Sequence, residues 1–431
     1  GQFYNRYGYD ENTDFASSTA GGFVTLDEAE KSLRSHRPMA VKVEPSIAIP
    51  TNLAPPKPRK ERVRFTTLHP EIPAEQRHNF RITDPELGYG TPSEKYAANV
   101  AAIRLLKKIE SEERLATPDE QEILSRYVGW GGLADVFDET KDNWKNEFAE
   151  LYATLSPEEY AAARSSTLNA HYTSKTVIDG IYKALTRFGV KGNNRILEPA
   201  MGTGNFFGFM PQEIADGAKL YGVELDRITG KIATKLYPQA KIQIKGFEET
   251  AFQDNSFDLM VTNVPFGGYT VFDPDYNKYN FYIHDYFIAK GIDKIKTNGL
   301  MTVITSKGTM DKQNPSIRKY IADRAELVGA VRLPNTAFKQ TANTEVVTDI
   351  LFFRKREERI NAGFENTEWL STGKTEEGYE INNYYIAHPE MVLGILAKET
   401  GLYGAEDITV KPDGRDLSEA INTAISRLAT G

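Results

Sequence analysis

The chain has 431 residues, 40% of them hydrophobic and 26% charged, a formal net charge of -8 and no cysteine. That length exceeds one ordinary core and suggests two or three units. The composition is that of a soluble globular protein, no apolar run approaches the roughly 20 residues of a membrane span, and disulfides and Cys-ligated zinc are excluded. The acidic balance argues against non-specific coating of nucleic acid, but phosphate attraction depends on where Lys and Arg sit, so a local basic cleft is still open.

In chain order, Gly1-Gln2-Phe3-Tyr4 carries neither an initiating Met nor a basic-then-apolar signal pattern. It reads as the start of a piece of a longer or processed polypeptide. Residues 1–90 are rich in Gly, Ser, Pro, Tyr and Asn without periodicity, and Pro55-Pro56-Lys57-Pro58 is a stiff linker type. This predicts an extended, partly disordered arm. Its basic run (Lys57, Arg59, Lys60, Arg62, Arg64) suits a DNA-gripping arm, although a solvated linker is the commoner case.

Residues 91–170 read as a helical module. Tyr96, Val100, Ile103, Leu106 and Ile109 recur at helical spacing, and Thr117-Pro118-Asp119-Glu120 and Ser156-Pro157-Glu158-Glu159 are helix starts. From 171 to 356 strands alternate with helices. A helix runs from about Ser174 to Gly189, and strands are predicted at 195–198, 219–224, 241–244, 257–262, 300–306, 327–333 and 347–354. Seven such strands predict an α/β fold with a Rossmann-like, doubly wound, mainly parallel sheet. The last two strands have no room for a crossover helix between them and predict an antiparallel hairpin at one edge. Residues 357–431 read as a small helical extension, with helices at Pro389–Ala397 and Leu417–Leu428.

The chemistry is concentrated at two turns. Glu198-Pro199-Ala200-Met201-Gly202-Thr203-Gly204-Asn205-Phe206 follows an apolar strand, and its glycines let the backbone turn sharply and approach a ligand. A dinucleotide pattern would need a third glycine where Phe207 stands. Glu224, followed by Leu225 at the end of the second strand, lies where a carboxylate accepts from ribose hydroxyls. Phe247 and Glu248, after the third strand, are placed to bracket an adenine ring.

The second turn is Thr262-Asn263-Val264-Pro265-Phe266-Gly267. An exocyclic amino nitrogen has its electron pair delocalised into the base, and two acceptors aimed at its hydrogens release that pair. Asn263 offers an amide oxygen and Val264 a backbone carbonyl, Pro265 fixes the turn, and Phe266 is expected to stack on the base. Such a nitrogen is unreachable inside a duplex, so the base would be flipped out. Orientation and electrostatics would carry catalysis, with no metal and no covalent intermediate.

These residues resemble the amino-group DNA methyltransferases of the adenine-N6 type, whose catalytic tetrapeptide is usually Asn/Asp/Ser-Pro-Pro-Tyr/Phe; here Val264 replaces the first Pro. Tyr172-Thr173-Ser174 is similar to the family's additional cofactor motif. Tyr127-Val128-Gly129-Trp130-Gly131-Gly132, Leu168-Asn169-Ala170-His171-Tyr172, Ile283-His284-Asp285-Tyr286-Phe287 and Thr305-Ser306-Lys307-Gly308-Thr309-Met310-Asp311 further resemble the large methylase–helicase proteins, with an SNF2-type helicase, of phages, plasmids and integrative elements. The resemblance implies a class I methyltransferase fold, S-adenosyl-L-methionine as cofactor, DNA as partner, a helicase domain or other element proteins as further partners, and neither membrane nor metal. It also implies a bacterial host cytoplasm, with a virion as the rival setting, and protection of a mobile element from restriction. Rival functions are a protein-glutamine or RNA methyltransferase and a non-catalytic DNA-binding scaffold.

Fainter signals complete the reading. His284, Lys307, Lys312 and Arg318 are candidate DNA contacts, though His171 and His284 more commonly would be structural. Trp130 suits a packed anchor better than a nucleobase platform. Gly373-Lys374-Thr375 lacks the glycine five positions earlier that a phosphate loop requires, because Glu368 stands there.

Overall fold

The structure is a computed structural model. It describes residues 68–167, 172–339, 345–400 and 406–429, together with one antiparallel pair of two-residue strands, Phe3–Tyr4 and Gly22–Phe23. Gly1–Arg59 and Lys60–Gly431 are separate compact units. The basic run from Lys57 to Arg64, the Pro55–Pro58 linker and His171 lie outside the described residues.

In the second unit the helical stretch consists of α1 (Pro92–Ser111), α2 (Pro118–Ser125), α3 (Lys145–Thr154) and α4 (Pro157–Ser166). Thr91, Thr117 and Ser156 each form a reciprocal capping box with a Glu three residues on, behind a proline in the first turn. Tyr96, Val100, Ile103, Leu106 and Ile109 are all buried, as their spacing requires. Residues 68–90 depart from the expected arm. The Phe80 amide donates to Leu236 O at 2.8 Å and the Ile82 amide to Gly208 O at 3.0 Å, with Phe80 and Leu87 buried. Three apolar residues spread along an irregular segment leave no periodic signal, yet they suffice to dock it.

The central sheet has seven strands: β1 (Arg195–Glu198), β2 (Lys219–Glu224), β3 (Lys241–Ile244), β4 (Phe257–Asn263), β5 (Ile295–Ser306), β6 (Ala325–Arg332) and β7 (Thr348–Lys355). Their spatial order is 3-2-1-4-5-7-6. The first five are mutually parallel, and β7 runs antiparallel to both β5 and β6. The hairpin expected at one edge is therefore present, with its second strand inserted between β5 and β6. This is the mainly parallel sheet expected of a class I S-adenosylmethionine-dependent methyltransferase. Helices α5 (Lys175–Arg187), α6 (Arg227–Leu236), α7 (Ile283–Lys294) and α8 (Ser316–Ala322) accompany it.

The extension from residue 357 is not purely helical. Thr372–Lys374 pairs with Glu380–Asn382, and Ile395–Thr400 pairs with Glu406–Lys411, both antiparallel. The helix expected at Pro389–Ala397 is one 3-10 turn, Pro389–Met391, followed by a strand. Gly394 sits in that span, so the apolar spacing reads as helical while the backbone extends to pair. The other expected helix is α9 (Leu417–Arg427), packed on α5, where Lys183 Nζ donates to Asn422 Oδ1 at 2.9 Å.

The order of the strands locates the site. It reverses between β1 and β4, and in a doubly wound sheet the crevice at the carboxyl ends of the strands beside such a reversal holds the ligand. Glu198, Glu224 and Asn263 are the terminal residues of β1, β2 and β4.

Candidate active site

A cavity of about 620 Å³ opens at that crevice, within the range of small-ligand pockets. The β1 turn contributes Glu198, Pro199, Ala200, Gly202, Asn205 and Phe206; β2 contributes Glu224 and Leu225; Phe247 and Glu248 follow β3; Asn263, Val264 and Pro265 follow β4; and Tyr172 and Thr173 lie beside them. Fifteen of the residues singled out in the sequence thus meet around one space.

The turn after β1 owes its shape to glycine. Gly202 and Gly204 have φ of 55° and 90°, a region L side chains rarely enter. Gly202 N donates to Glu224 Oε2 at 2.8 Å and Asp226 N to Glu224 Oε1 at 2.8 Å. The carboxylate, with room for about four hydrogen bonds, keeps acceptor capacity for a ligand hydroxyl. Burial, and next to it the neighbouring Asp226 charge, push the Glu224 carboxyl up to about 7 against the pull of these amide bonds. Gly204 itself is not on the cavity wall. It faces Tyr237, and a Cβ there would stand 2.4 Å from that ring.

Glu198 is 2% exposed, and its Oε2 has no hydrogen-bond partner. Burial, followed by Glu224, raises its pKa well above the carboxylate range. Glu198 lines the cavity, while this oxygen is itself buried, and a buried polar atom left without a partner is costly. S-Adenosylmethionine, with an ammonium and a sulfonium beside a ribose, matches that demand and the Glu224 acceptors together.

At the β4 end, Asn263 Nδ2 donates to Thr173 Oγ1 at 3.2 Å. This directs the amide so that its other polar atom is an acceptor. The Val264 amide is bound to Ile304 O at 3.1 Å. Phe247 is buried, its ring 5.0 Å from that of Phe287. Phe266 is half-buried against the core and does not line the cavity, contrary to its expected place on the base.

The expected DNA contacts are placed elsewhere, and none of them lines this cavity. Arg318 is 1% exposed, donating to Leu370 O at 2.9 Å and Thr309 O at 3.2 Å. Lys307 is bound to Asp407 and the Ile408 carbonyl, and Lys312 to buried Asp285. His284 is buried beside Asp285, and desolvation lowers its pKa. Trp130 is packed, 5.3 Å from Phe137.

Sequence reasoning missed several wall residues. Tyr127 and Gly129 precede the packed tryptophan, and Ser165 and Ser166 end α4, so the helical stretch closes one side of the cavity. Tyr127 belongs to a motif that had been noticed, but nothing in its spacing pointed to a ligand. The cations on the wall are Arg227 and Lys245, isolated in sequence and therefore silent. Among the described residues no group of three or more side chains could hold a metal, and no helix is long and apolar enough to cross a membrane.

The family described as N-6 DNA methylase matches residues 144–377, more than half of the 431 residues. The chain belongs to that family. S-Adenosylmethionine is the cofactor that membership carries. The chain is 29% identical over 266 residues to the defense against restriction protein B of Escherichia phage P1, covering 60% of this chain and 10% of that protein. It is 27% identical over 207 residues to the type I restriction enzyme EcoEI methylase subunit of Escherichia coli, covering 40% of this chain and 41% of that one. The chain therefore spans less than half the length of either relative. Among solved structures, a type I restriction-modification methyltransferase subunit from Streptococcus thermophilus aligns with a TM-score of 0.37 at 14% identity, over 61% of this chain and 79% of that one.

Proposed function

We propose that this chain methylates the N6 amino group of an adenine flipped out of DNA. The observation that carries the reading is the shared cavity. The turn after β1, beginning at Glu198, and the Asn263-Val264-Pro265 turn after β4 line one space. S-Adenosylmethionine, when bound, supplies an electrophilic methyl group.

The chain's own contribution is orientation. The Glu224 carboxylate takes the ribose hydroxyls, Glu198 faces the positive charge, and Phe247, Glu248 and Leu225 enclose the adenine end. Gly202, Asn205, Phe206, Pro199 and Ala200 shape the floor, with Tyr172 and Thr173 packed beside Gly202 and Asn205. The amide of Asn263, held by Thr173, and the carbonyl of Val264 accept the two hydrogens of the target amino group. The nitrogen is thereby drawn toward tetrahedral geometry and its electron pair released. The Asn263 amide oxygen and the Val264 carbonyl accept hydrogen bonds only, and the surplus proton of the methylated amino group is released to solvent. Because position 264 acts through its carbonyl, valine serves there in place of proline.

The setting we infer is a mobile element in a bacterial cytoplasm, where methylation marks the element's own DNA against restriction. The name of the phage relative supports this, and a helicase or other element proteins are the expected partners in the full polypeptide. A second reading is an RNA or protein-glutamine acceptor, and the occupation of Lys307, Lys312 and Arg318 by internal partners favours its protein arm alone, because RNA phosphates call for the same cations as DNA. Labelled S-adenosylmethionine offered with DNA, RNA and protein in competition separates the two. Label is expected in DNA, and label confined to RNA or protein would overturn the proposal.

A further inference from the structure

The segment joining the Asn263 turn to α7 has no part in the chemistry above, yet it is fixed at both ends. At the near end the ring of Tyr269 lies against Gly267, where a Cβ would stand 2.4 Å from Tyr269 Cε1. Only glycine leaves that ring its place. Tyr269 O accepts from the Ile283 amide at 2.8 Å, holding the residue at the first turn of α7. At the far end buried Asp273 accepts from Lys290 Nζ at 2.8 Å and from the Tyr286 hydroxyl at 2.6 Å.

Lys290 is 3% exposed, and its ammonium also donates to Phe247 O at 2.8 Å and stands 5.0 Å over the Phe247 ring. One buried cation therefore ties the segment to the backbone that follows β3. The chain leaves β4, turns back toward the ends of β2 and β3, and only then enters α7. Burial, and next to it the charge of Glu248, raise the Tyr269 hydroxyl, in keeping with a ring turned toward the β3 side.

Between the anchors, Tyr269 and Val271 line the cavity with Leu225, Phe247, Ile283 and Phe287. Together they form an apolar wall of the cavity. Phe272, the next residue, is 78% exposed and does not line it. A half-exposed aromatic ring over an apolar slot suits the face of a planar heterocycle, and such stacking contributes measurably to binding.

We propose that residues 267–273 clamp the cofactor, with the Tyr269 ring covering its adenine and the Lys290–Asp273 pair fixing the clamp. This rests on the reading that the cavity holds S-adenosylmethionine. It assigns to the cofactor an aromatic residue that its closeness to the catalytic turn would otherwise assign to the target base.

Calorimetry on the whole chain, with S-adenosylmethionine and with S-adenosylhomocysteine, tests it. Tyr269→Ala is expected to weaken both about tenfold, Tyr269→Phe to stay within twofold of wild type, and Phe272→Ala to change neither. Anisotropy of a labelled duplex without cofactor should be unaltered by Tyr269→Ala. Unchanged cofactor affinity in Tyr269→Ala, or a loss confined to the duplex, overturns the clamp while leaving the cofactor reading intact. Absence of cofactor binding by the wild-type chain would sink both, and a thermal melt matching wild type confirms that the variant is folded.

Discussion

Two neighbouring regions carry polar side chains and use them in opposite ways. At the carboxyl ends of β1, β2 and β4, Glu198, Glu224 and Asn263 line a common cavity, and Glu198 has a buried oxygen without a partner. In and beyond α7 and β5, the carboxylate of Asp285 accepts from Thr309 Oγ1 at 3.0 Å and from Lys312, and Arg318 donates to two backbone carbonyls. The first region lines a space that a ligand can enter, whereas in the second Asp285 and the Nε and Nη1 groups of Arg318 are bound inside the fold, with Arg318 Nη2 buried without a partner. A polar residue's type does not separate the two cases; its position at a strand end beside the reversal of sheet order does.

The largest effect is expected of Arg318→Met. If Arg318 is internal, the variant loses roughly 3 kcal/mol of stability through two buried carbonyls left without donors. Chemical denaturation would register that loss, while the salt dependence of DNA binding stays as in wild type. A stable variant with a shallower salt slope would return Arg318 to the DNA-binding surface.

Glu224→Gln sharpens the other side. One charged acceptor for the ribose is lost, and cofactor affinity by calorimetry should fall about tenfold, the scale of one charge-assisted hydrogen bond. The same variant has a smaller signature in pH. Since the folded-state pKa of Glu224 is raised to about 7 from an ordinary 4.5, the folded chain keeps a proton that the unfolded chain gives up. Its stabilising contribution is complete below about pH 4.5 and is lost as pH rises through 7. Unfolding free energy of the cofactor-free wild type should decline across that window, and Glu224→Gln should decline less.

The same contrast explains what the sequence made legible. Strands β1 and β2 were legible because their central residues are buried and each run ends on a glutamate, whereas the edge strand β3 is only half-buried and was read from its alternating Lys-Ile-Gln-Ile. The turn after β1 and the Asn263 turn were readable because chemistry demands several particular residues in a row. Tyr127, Ser165, Ser166 and Tyr269 reach the cavity from segments far apart in sequence, and only tertiary packing brings them there. The insertion of β7 between β5 and β6 was hidden for a related reason: a hairpin's local signal does not say which strand faces the rest of the sheet. Lys307, Lys312 and Arg318 misled because a basic residue carries no local mark of an internal partner.

The central claim is that Asn263 grips an adenine amino group opposite the cofactor. Mass spectrometry of nucleosides from duplex DNA incubated with the chain and S-adenosylmethionine tests it most directly. Wild type is expected to yield N6-methyladenine, and Asn263→Ala to lose about a hundred- to a thousandfold, as when a group acting in the transition state is removed, with cofactor affinity kept within a few-fold. Methylcytosine, no methylated base at all, or full N6-methyladenine from the alanine variant would contradict the claim.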